Sequence, residues 1–212
     1  MRIAVIGAAG IAGRAIYKEA LKRGHDVVGI VRNADRAKEV LGSEACLVVK
    51  DAFELLPSDL AGFQVVVNAF ATEPATAYLH IDLTAKLIAQ FRETSEPRLF
   101  FILGAGSLLD ENERPFVETL KNVPEAEEWI SIPVNQYKQL EFLRNVDNVN
   151  WVGVSPSAEF LEGESSKPVI GKDHLLTAAD GQSHTTNGTL ATAILDEIKH
   201  PKVIKSRFTV SD

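Results

Sequence analysis

Short runs of apolar residues recur along the chain, separated by segments in which the apolar positions follow a helical period. Runs of this length predict strands, and the amphipathic segments between them predict helices. The predicted strands are Arg2 to Gly7, Asp26 to Arg32, Cys46 to Lys50, Gln64 to Phe70, Arg98 to Gly104 and Asn150 to Pro156. They are continuously apolar rather than alternating, as expected for a parallel sheet that helices cover on both faces.

The intervening helices follow the strands in regular order. They are predicted at Ile11 to Gly24, at Ala34 to Gly42, from about Pro74 to Thr94 with Thr72 as the cap, and at Thr189 to His200. Strand and helix alternate as far as Pro156, which predicts an α/β fold: a Rossmann-like, doubly wound, mostly parallel sheet with helices on both faces.

The character of the chain changes after Pro156, where it becomes loop-rich before the last helix and a short strand, RFTV. We expect residues 1–212 to form a single dinucleotide-binding domain, in which residues 156–212 include a small C-terminal lobe on the substrate side. This lobe carries four apolar residues in polar surroundings, Phe160, Leu161, Leu175 and Leu176. They either form the core of the lobe or provide one wall for a planar acceptor.

The composition narrows the classes of function. Among the 212 residues, 45% are apolar and 24% charged, as in ordinary globular proteins. The single cysteine, Cys46, fits a reducing cytoplasm, so we expect a cytoplasmic protein. No apolar stretch has the length of a membrane span, and no Cys, His or Asp cluster has metal-ligand spacing. A net charge of −7 argues against nucleic acid as a partner, so local geometry must hold any phosphate.

The segment GAAGIAG lies where the first strand ends and the first helix begins. Gly7 would allow a tight turn, Gly10 the close approach of a pyrophosphate, and Gly13 close packing of helix on strand. The free N–H groups and the dipole of the helix would then face the phosphates. A glycine-rich turn can also serve packing alone, but the strand–turn–helix context favours dinucleotide binding.

The end of the second strand indicates which dinucleotide is preferred. NAD-selective sites place an acidic residue there to bind the ribose 2′-hydroxyl, whereas this chain has Arg32, followed by Asn33 and Arg36. Arginine can bind a 2′-phosphate through charge-assisted hydrogen bonds. We therefore expect NADP in preference to NAD, although both arginines could simply be solvated.

Several motifs together carry a family resemblance. GAAGIAG, IVRN, KDAF and NAF resemble the atypical branch of the short-chain dehydrogenase/reductase superfamily, which has the GxxGxxG spacing. LGAGSLLD, SPSAEF, IGKDHLL and RFTV are similar to its NAD(P)H-flavin reductase group, related to biliverdin reductase B and NmrA-like proteins. Members of that group usually have GATG where this chain has GAAG, so one threonine hydroxyl is missing.

The resemblance implies a cofactor site that spans the carboxyl edge of the sheet. The pyrophosphate would lie against Gly7, Ala9, Gly10, Ile11, Ala12 and Gly13. The 2′-phosphate would bind Arg32, the adenine Asp51 and Ala52, and the ribose Ala69, Phe70 and Ala71. The nicotinamide would be lined by Gly104, Ala105, Gly106 and Ser107, and by Ser155, Pro156 and Ser157.

The usual catalytic pair of the superfamily, Tyr-x-x-x-Lys, is missing. The fourth residue after each of the three tyrosines is not a lysine. VNQYKQLEFL matches the segment that follows the pair, which aligns Lys138 with the lysine and Val134 with the tyrosine. Ser107 is the best polar candidate near the hydride, although it could equally satisfy its own turn. His174 and His184 could supply a proton from the lobe, although each is more simply a loop histidine.

A protein that keeps the cofactor site but lacks the acid has two main interpretations. The first is an NAD(P)H-dependent oxidoreductase that transfers hydride from NADPH to a freely diffusing flavin, FMN or FAD, or to a quinone-like acceptor. Such a ring delocalises the added charge and needs mainly orientation. The alternative is a non-catalytic, NmrA-like sensor of NADP(H). The short C-terminal region favours the enzyme over the sensor. The missing tyrosine and the short C-terminal region also disfavour a nucleotide-sugar epimerase or dehydratase.

Overall fold

The computed structural model describes residues 1–212, in which ten strands and six helices alternate along most of the chain. The strands are β1 (Arg2–Ile6), β2 (Asp26–Val31), β3 (Leu47–Val49), β4 (Val65–Asn68), β5 (Thr94–Ile102), β6 (Val149–Pro156), β7 (Glu159–Leu161), β8 (Val169–Gly171), β9 (His184–Thr186) and β10 (Ser206–Ser211). The helices are α1 (Ile11–Lys22), α2 (Ala34–Leu41), α3 (Leu79–Gln90), α4 (Phe116–Leu120), α5 (Ser131–Arg144) and α6 (Asn187–Lys199).

Eight of the strands form one sheet in the order β3-β2-β1-β4-β5-β6-β10-β8. All neighbours in it are parallel except β8, which runs antiparallel to β10. Strand order reverses beside β1, so a crevice opens between the turns that follow β1 and β4. The predicted doubly wound, mostly parallel α/β fold is confirmed.

The strands face two separate apolar cores, one on each side of the sheet. Ile3 and Val5 of β1 contribute to the core beneath α1 and α6, whereas Ala4 and Ile6 contribute to the core beneath α3 and α5. Successive strand residues point to opposite faces, and helices cover both, so consecutive positions in the middle of β1, β2 and β4 are apolar or glycine.

The predicted helix from Pro74 to Thr94 is shorter in the structure. Residues Pro74–Thr76 form a separate 3-10 turn, and α3 covers only Leu79–Gln90. Glu93 adopts a left-handed φ of 58°, which turns the chain, and Thr94 already begins β5. The hydroxyl of Thr72 pairs with that of Thr76 at 2.6 Å instead of capping a helix.

Part of the segment predicted as a lobe belongs to the main sheet. β10 lies between β6 and β8 and is almost wholly buried, and α6 packs against α1. Only β7 and β9 pair outside the sheet, as a short parallel ladder. Within this segment Phe160 packs against the core, whereas Leu161 is 44% exposed. None of the helices has the length and apolar character that crossing a bilayer requires.

Candidate functional site

The turn between β1 and α1 depends on glycine at two positions. Gly7 has a φ of 75°, and a Cβ on it would lie 2.6 Å from the carbonyl oxygen of Ala69. A Cβ on Gly13 would overlap the carbonyl oxygen of Gly7. Both glycines therefore let α1 and the loop after β4 approach the end of β1.

Gly10 is less constrained by the fold than these two glycines. Its φ is −79°, and a Cβ on it would meet only the carbonyl oxygen of Gly7, at 3.3 Å. The first backbone bond into α1 runs from Arg14 N to Gly10 O, at 2.9 Å. The N–H groups of Ile11 and Ala12 thus have no acceptor within the helix. Open backbone and free donors at a helix N-terminus suit an anion.

A cavity of about 270 Å³ opens directly beside this turn, at the carboxyl ends of β1, β2 and β4. It brings together eleven of the predicted cofactor residues: Gly7, Ala9, Gly10, Arg32, Asn33, Arg36, Asp51, Ala52, Ala69, Phe70 and Ala71. It also includes four residues that were not predicted, Ile6, Ile30, Val31 and Lys50. Ile11, Ala12 and Gly13 lie in the first turn of α1, outside this lining.

Two guanidinium groups mark one end of the cavity. Arg32 and Arg36 are exposed, and neither side chain has an ion pair or a hydrogen bond. Asn33 holds the start of α2, because its Oδ1 accepts from the Arg36 backbone N–H at 3.0 Å. Lys50, by contrast, is tied to Asp59 at 2.6 Å. The two arginines are therefore the free cations at this end.

The aromatic ring that lines the cavity on the β4 side is Phe70. Phe70 packs edge-on against Phe53, with centroids 5.8 Å apart, and against His80, at 5.6 Å. The His80 ring is buried, and its Nε2 has no hydrogen-bond partner. Burial lowers the pKa of His80 to about 4, so the ring is neutral near neutral pH. The wall thus remains uncharged.

A polar network that the sequence did not reveal lies at the carboxyl ends of β5 and β6. Arg207 on β10 donates from Nη1 to Ser107 Oγ at 3.1 Å and to Ser155 Oγ at 3.0 Å. Its Nη2 lies 2.6 Å from Asp173 Oδ1, and Arg144 Nη2 lies 3.1 Å from the same oxygen. The Arg207 side chain is only 1% exposed. A charged residue between the apolar and hydroxyl residues of a predicted strand is the signal that could have pointed to it.

The charged groups of this network shift one another's pKa values. Burial lowers the pKa of Arg207, and the hydrogen bond and charge of Asp173 oppose that shift. Burial acts to raise the pKa of Asp173, but Arg207 and Arg144 outweigh it and hold the pKa below its usual value. The pair is therefore ionised, since guanidinium groups keep their proton in proteins.

Ser155 and Pro156 at the end of β6 and Ser157 directly after it, which were predicted to line the nicotinamide, do not line the cavity described above. All three are buried. Ser155 Oγ donates to Gly104 O at 3.1 Å, and Ser157 Oγ donates to Val210 O at 3.0 Å. Their hydroxyls are thus committed to internal bonds.

Lys138, the second residue predicted to be catalytic, lies on α5. Lys138 is exposed and has no hydrogen bond or ion pair, whereas Gln136 lies against Gly104, whose Cβ would overlap the Gln136 Oε1. Two helical residues separate these positions by about 200°, so Lys138 points away from the sheet edge. The amide of Gln136 has no hydrogen-bond partner, and Pro133 packs on Gly106. Alignment of the motif could not show which face of α5 meets the sheet.

The two lobe histidines are both paired with carboxylates. His174 Nε2 lies 2.8 Å from Glu113 Oε1 on the surface. His184 lies between Asp180 and Asp212, at 2.9 Å from each. Hydrogen bonds to Asp180, and then to Asp212, raise the pKa of His184. No cluster of His, Cys, Asp and Glu forms a metal-ligand set.

The lobe is bonded directly to the first helix. Asn187 donates from Nδ2 to Ile11 O at 3.0 Å and accepts at Oδ1 from Gly163 N at 3.0 Å. Arg14 and Glu162 form an ion pair between α1 and the end of β7. These contacts place the lobe beside the start of α1.

The sheet order, the glycine turn and the adjoining crevice define a Rossmann-type dinucleotide-binding protein. The model of the NAD(P)H-binding family matches residues 7–201, and the chain belongs to that family. The resemblance to the short-chain dehydrogenase/reductase superfamily is thereby confirmed at the level of the superfamily.

Relatives match the chain over nearly its whole length. The uncharacterized protein YwnB of Bacillus subtilis is 37% identical over 99% of this chain and 98% of its own. A crystal structure from Lactobacillus casei is 38% identical with a TM-score of 0.93, covering 100% of this chain and 99% of that one. A candidate NADH-flavin reductase from Streptococcus pneumoniae is 33% identical with a TM-score of 0.89, over 100% and 99% of the two chains.

Proposed function

We propose that this protein is an NADPH-dependent oxidoreductase that reduces a diffusible flavin or a quinone-like acceptor. The observation that carries the proposal is the cavity itself. One side offers open backbone and free N–H groups at the start of α1, and the far end offers the unpaired guanidinium groups of Arg32 and Arg36. This arrangement suits a ligand with a pyrophosphate and a second phosphate.

The residues fit the cofactor on steric grounds as well. Gly10 keeps the entrance open, and a Cβ there would meet a single atom of the fold, the Gly7 carbonyl oxygen at 3.3 Å, so its small size would mainly serve a ligand. Ile11 and Ala12 would donate their backbone N–H groups to the pyrophosphate. Arg32 would bind the 2′-phosphate, with Arg36 beside it. Phe70 and the neutral His80 would keep the ribose side of the cavity uncharged.

The acceptor side lacks a strong acid. When bound, the reduced nicotinamide supplies a hydride. Lys138 points away, and the Ser155 and Ser157 hydroxyls are bonded internally, so Ser107 remains the hydroxyl that could donate toward an acceptor. A conjugated ring tolerates this because it delocalises the charge and takes its proton from water. The name of the Streptococcus pneumoniae protein, a candidate NADH-flavin reductase, supports the same reaction class.

The experiment is to follow the loss of nicotinamide absorbance when the purified protein meets NADPH and FMN, with NADH and with a quinone in parallel. We expect saturable loss with NADPH that exceeds the protein-free rate. Arg32→Ala should weaken NADPH binding by about tenfold or more, since a charge-assisted pair is lost, and leave NADH binding nearly unchanged. Equal weakening of both cofactors would contradict the NADPH preference.

A second candidate is a non-catalytic NADP(H)-binding sensor. The commitment of two of the three serine hydroxyls to internal bonds favours it, since few groups remain for chemistry. Tight NADPH binding without oxidation by FMN or the quinone would support the sensor over the reductase.

A further inference from the structure

We propose that Arg207 is a positioning residue, which holds the Ser107 hydroxyl so that its O–H bond is directed at the acceptor. This inference rests on the proposed reductase function. It concerns a buried cation that the cofactor site described above does not use.

The first argument is a count of hydrogens around Arg207. Arg207 Nη1 donates to the oxygens of both Ser107 and Ser155. The Ser155 proton is committed, because Ser155 Oγ donates to Gly104 O at 3.1 Å. Ser107 is itself only 4% exposed, but its hydroxyl has no acceptor in the chain, so its proton alone in this network is unpaired and can bond a ligand that reaches it. Because a hydroxyl accepts along fixed lone-pair directions, the bond from Arg207 restricts where that proton points.

The second argument is electrostatic. The Arg207 side chain is 1% exposed, whereas the Asp173 side chain is 43% exposed, so solvent screens the anion more than the cation. A donor that carries a charge, placed in a low-dielectric interior, polarises the hydroxyl it bonds and strengthens it as a donor in turn. Ser107 would then be a stronger hydrogen-bond donor than an ordinary serine, in a chain that lacks the Tyr-x-x-x-Lys pair.

The third argument is that neighbouring strands make room for this side chain. Arg207 is paired in register with Gly153 of β6. A Cβ on Gly153 would lie 3.3 Å from the Arg207 Cβ and 3.4 Å from its Cγ. The arginine stem thus passes over a residue without a side chain and reaches the carboxyl ends of β5 and β6.

The experiment compares Arg207→Lys, Ser107→Ala and the double variant, with Arg98→Lys as the matched control. Arg98 is also an arginine inside the sheet, paired with Glu197, but its donors go to Glu197 and Val203. The readouts are the affinity of the NADP⁺-loaded protein for FMN, from quenching of flavin fluorescence, and kcat and KM with NADPH and FMN.

We expect each single variant to weaken FMN binding and lower kcat by about tenfold, the effect of one good hydrogen bond. The double variant should be no worse than Ser107→Ala, because Arg207 acts through Ser107. NADP⁺ affinity should not change, and Arg98→Lys should alter neither flavin readout. If Arg207→Lys does not fold, Asp173→Asn replaces it, because this change weakens the hold on the Arg207 guanidinium at a half-exposed position. Asp173→Asn should reduce FMN affinity and kcat by a smaller factor, and it should have no effect in the Ser107→Ala background.

Additive losses in the double variant, or equal losses in Arg98→Lys, would overturn the role of Arg207 while leaving the reductase intact. Failure of the wild-type protein to bind or reduce FMN would instead reject the proposed function, and the inference with it.

Discussion

Arg98 and Arg207 both place a guanidinium inside the sheet, but they bond different kinds of partner. Arg98 on β5 bonds the Glu197 carboxylate at 2.6 Å, the Glu197 carbonyl at 3.1 Å and the Val203 carbonyl at 2.6 Å. Arg207 on β10 bonds two hydroxyls and one half-exposed carboxylate. Because backbone carbonyls are fixed in place, the bonds from Arg98 hold the sheet and the end of α6 together. Hydroxyls can also bond a ligand, so Arg207, at the carboxyl ends of β5 and β6, can affect a reaction there.

The sharpest test of this contrast is to truncate each acidic partner. Glu197→Ala should lower the free energy of unfolding by about 3–5 kcal/mol, because Arg98 is left charged and buried. Asp173→Ala should cost less, about 1–2 kcal/mol: it also leaves a buried guanidinium, but the vacated carboxylate position is half-exposed, so water can bond Arg207 there. Urea unfolding of both variants measures this. A larger loss for Asp173→Ala would mean that the Arg207 network is chiefly structural.

Two histidines whose pKa values shift in opposite directions, His80 and His184, provide a second comparison, in the pH dependence of stability. The pKa of His80 is about 4 in the folded protein, below its ordinary value of 6.5. Its contribution, about 3 kcal/mol, is therefore complete above pH 6.5 and lost as the pH falls toward 4. The pKa of His184 is raised, so its smaller contribution is present below pH 6.5 and lost as the pH rises through the folded value.

Unfolding midpoints in urea at about pH 5 and about pH 8 separate the two groups. His80→Phe should remove the acid-side loss and preserve the aromatic wall. His184→Asn should remove the shallower alkaline-side decline. An unchanged pH dependence in His80→Phe would show that another group causes the acid sensitivity.

The glycines provide a matched pair within one turn. Gly13→Ala should destabilise the fold by about 1–3 kcal/mol through overpacking against the Gly7 carbonyl. Gly10→Ala should cost less stability than Gly13→Ala, because its Cβ contact is longer, and weaken NADPH binding by about tenfold, because the methyl group enters the ligand space. Thermal unfolding and fluorescence titration with NADPH measure the two effects. Equal affinity in wild type and Gly10→Ala would remove the steric argument for the cofactor site.

The smallest effects are expected on α5. Gln136→Leu should reduce turnover a few fold, because the free amide next to Gly104 is lost. Lys138→Met should change nothing, because that side chain faces solvent. Steady-state assays with NADPH and FMN compare them. A larger loss in Lys138→Met would restore the lysine to the site.

Local patterns were sufficient for much of the fold and for the adenosine end of the candidate site. The glycine turn is contiguous in sequence, and strand ends that share one edge of a parallel sheet must converge, so the sequence places Gly10 and Arg32 together. The Arg207 network was missed because Ser107 and Asp173 lie 100 and 34 residues away along the chain. The end of α3 was missed because the left-handed turn at Glu93 has no glycine to mark it.

The position of β10 has a consequence for assembly. β10 is inserted between β6 and β8, although β8 precedes it in the chain. The antiparallel edge at β8 therefore has no native neighbour until β10 is in place, and contacts this distant in sequence close slowly. During synthesis on the ribosome, β1 to β6 can pair as they emerge, but β8 cannot join the sheet until residues 206–211 have emerged. Molecular chaperones would meet this protein with one edge of its sheet still unfinished.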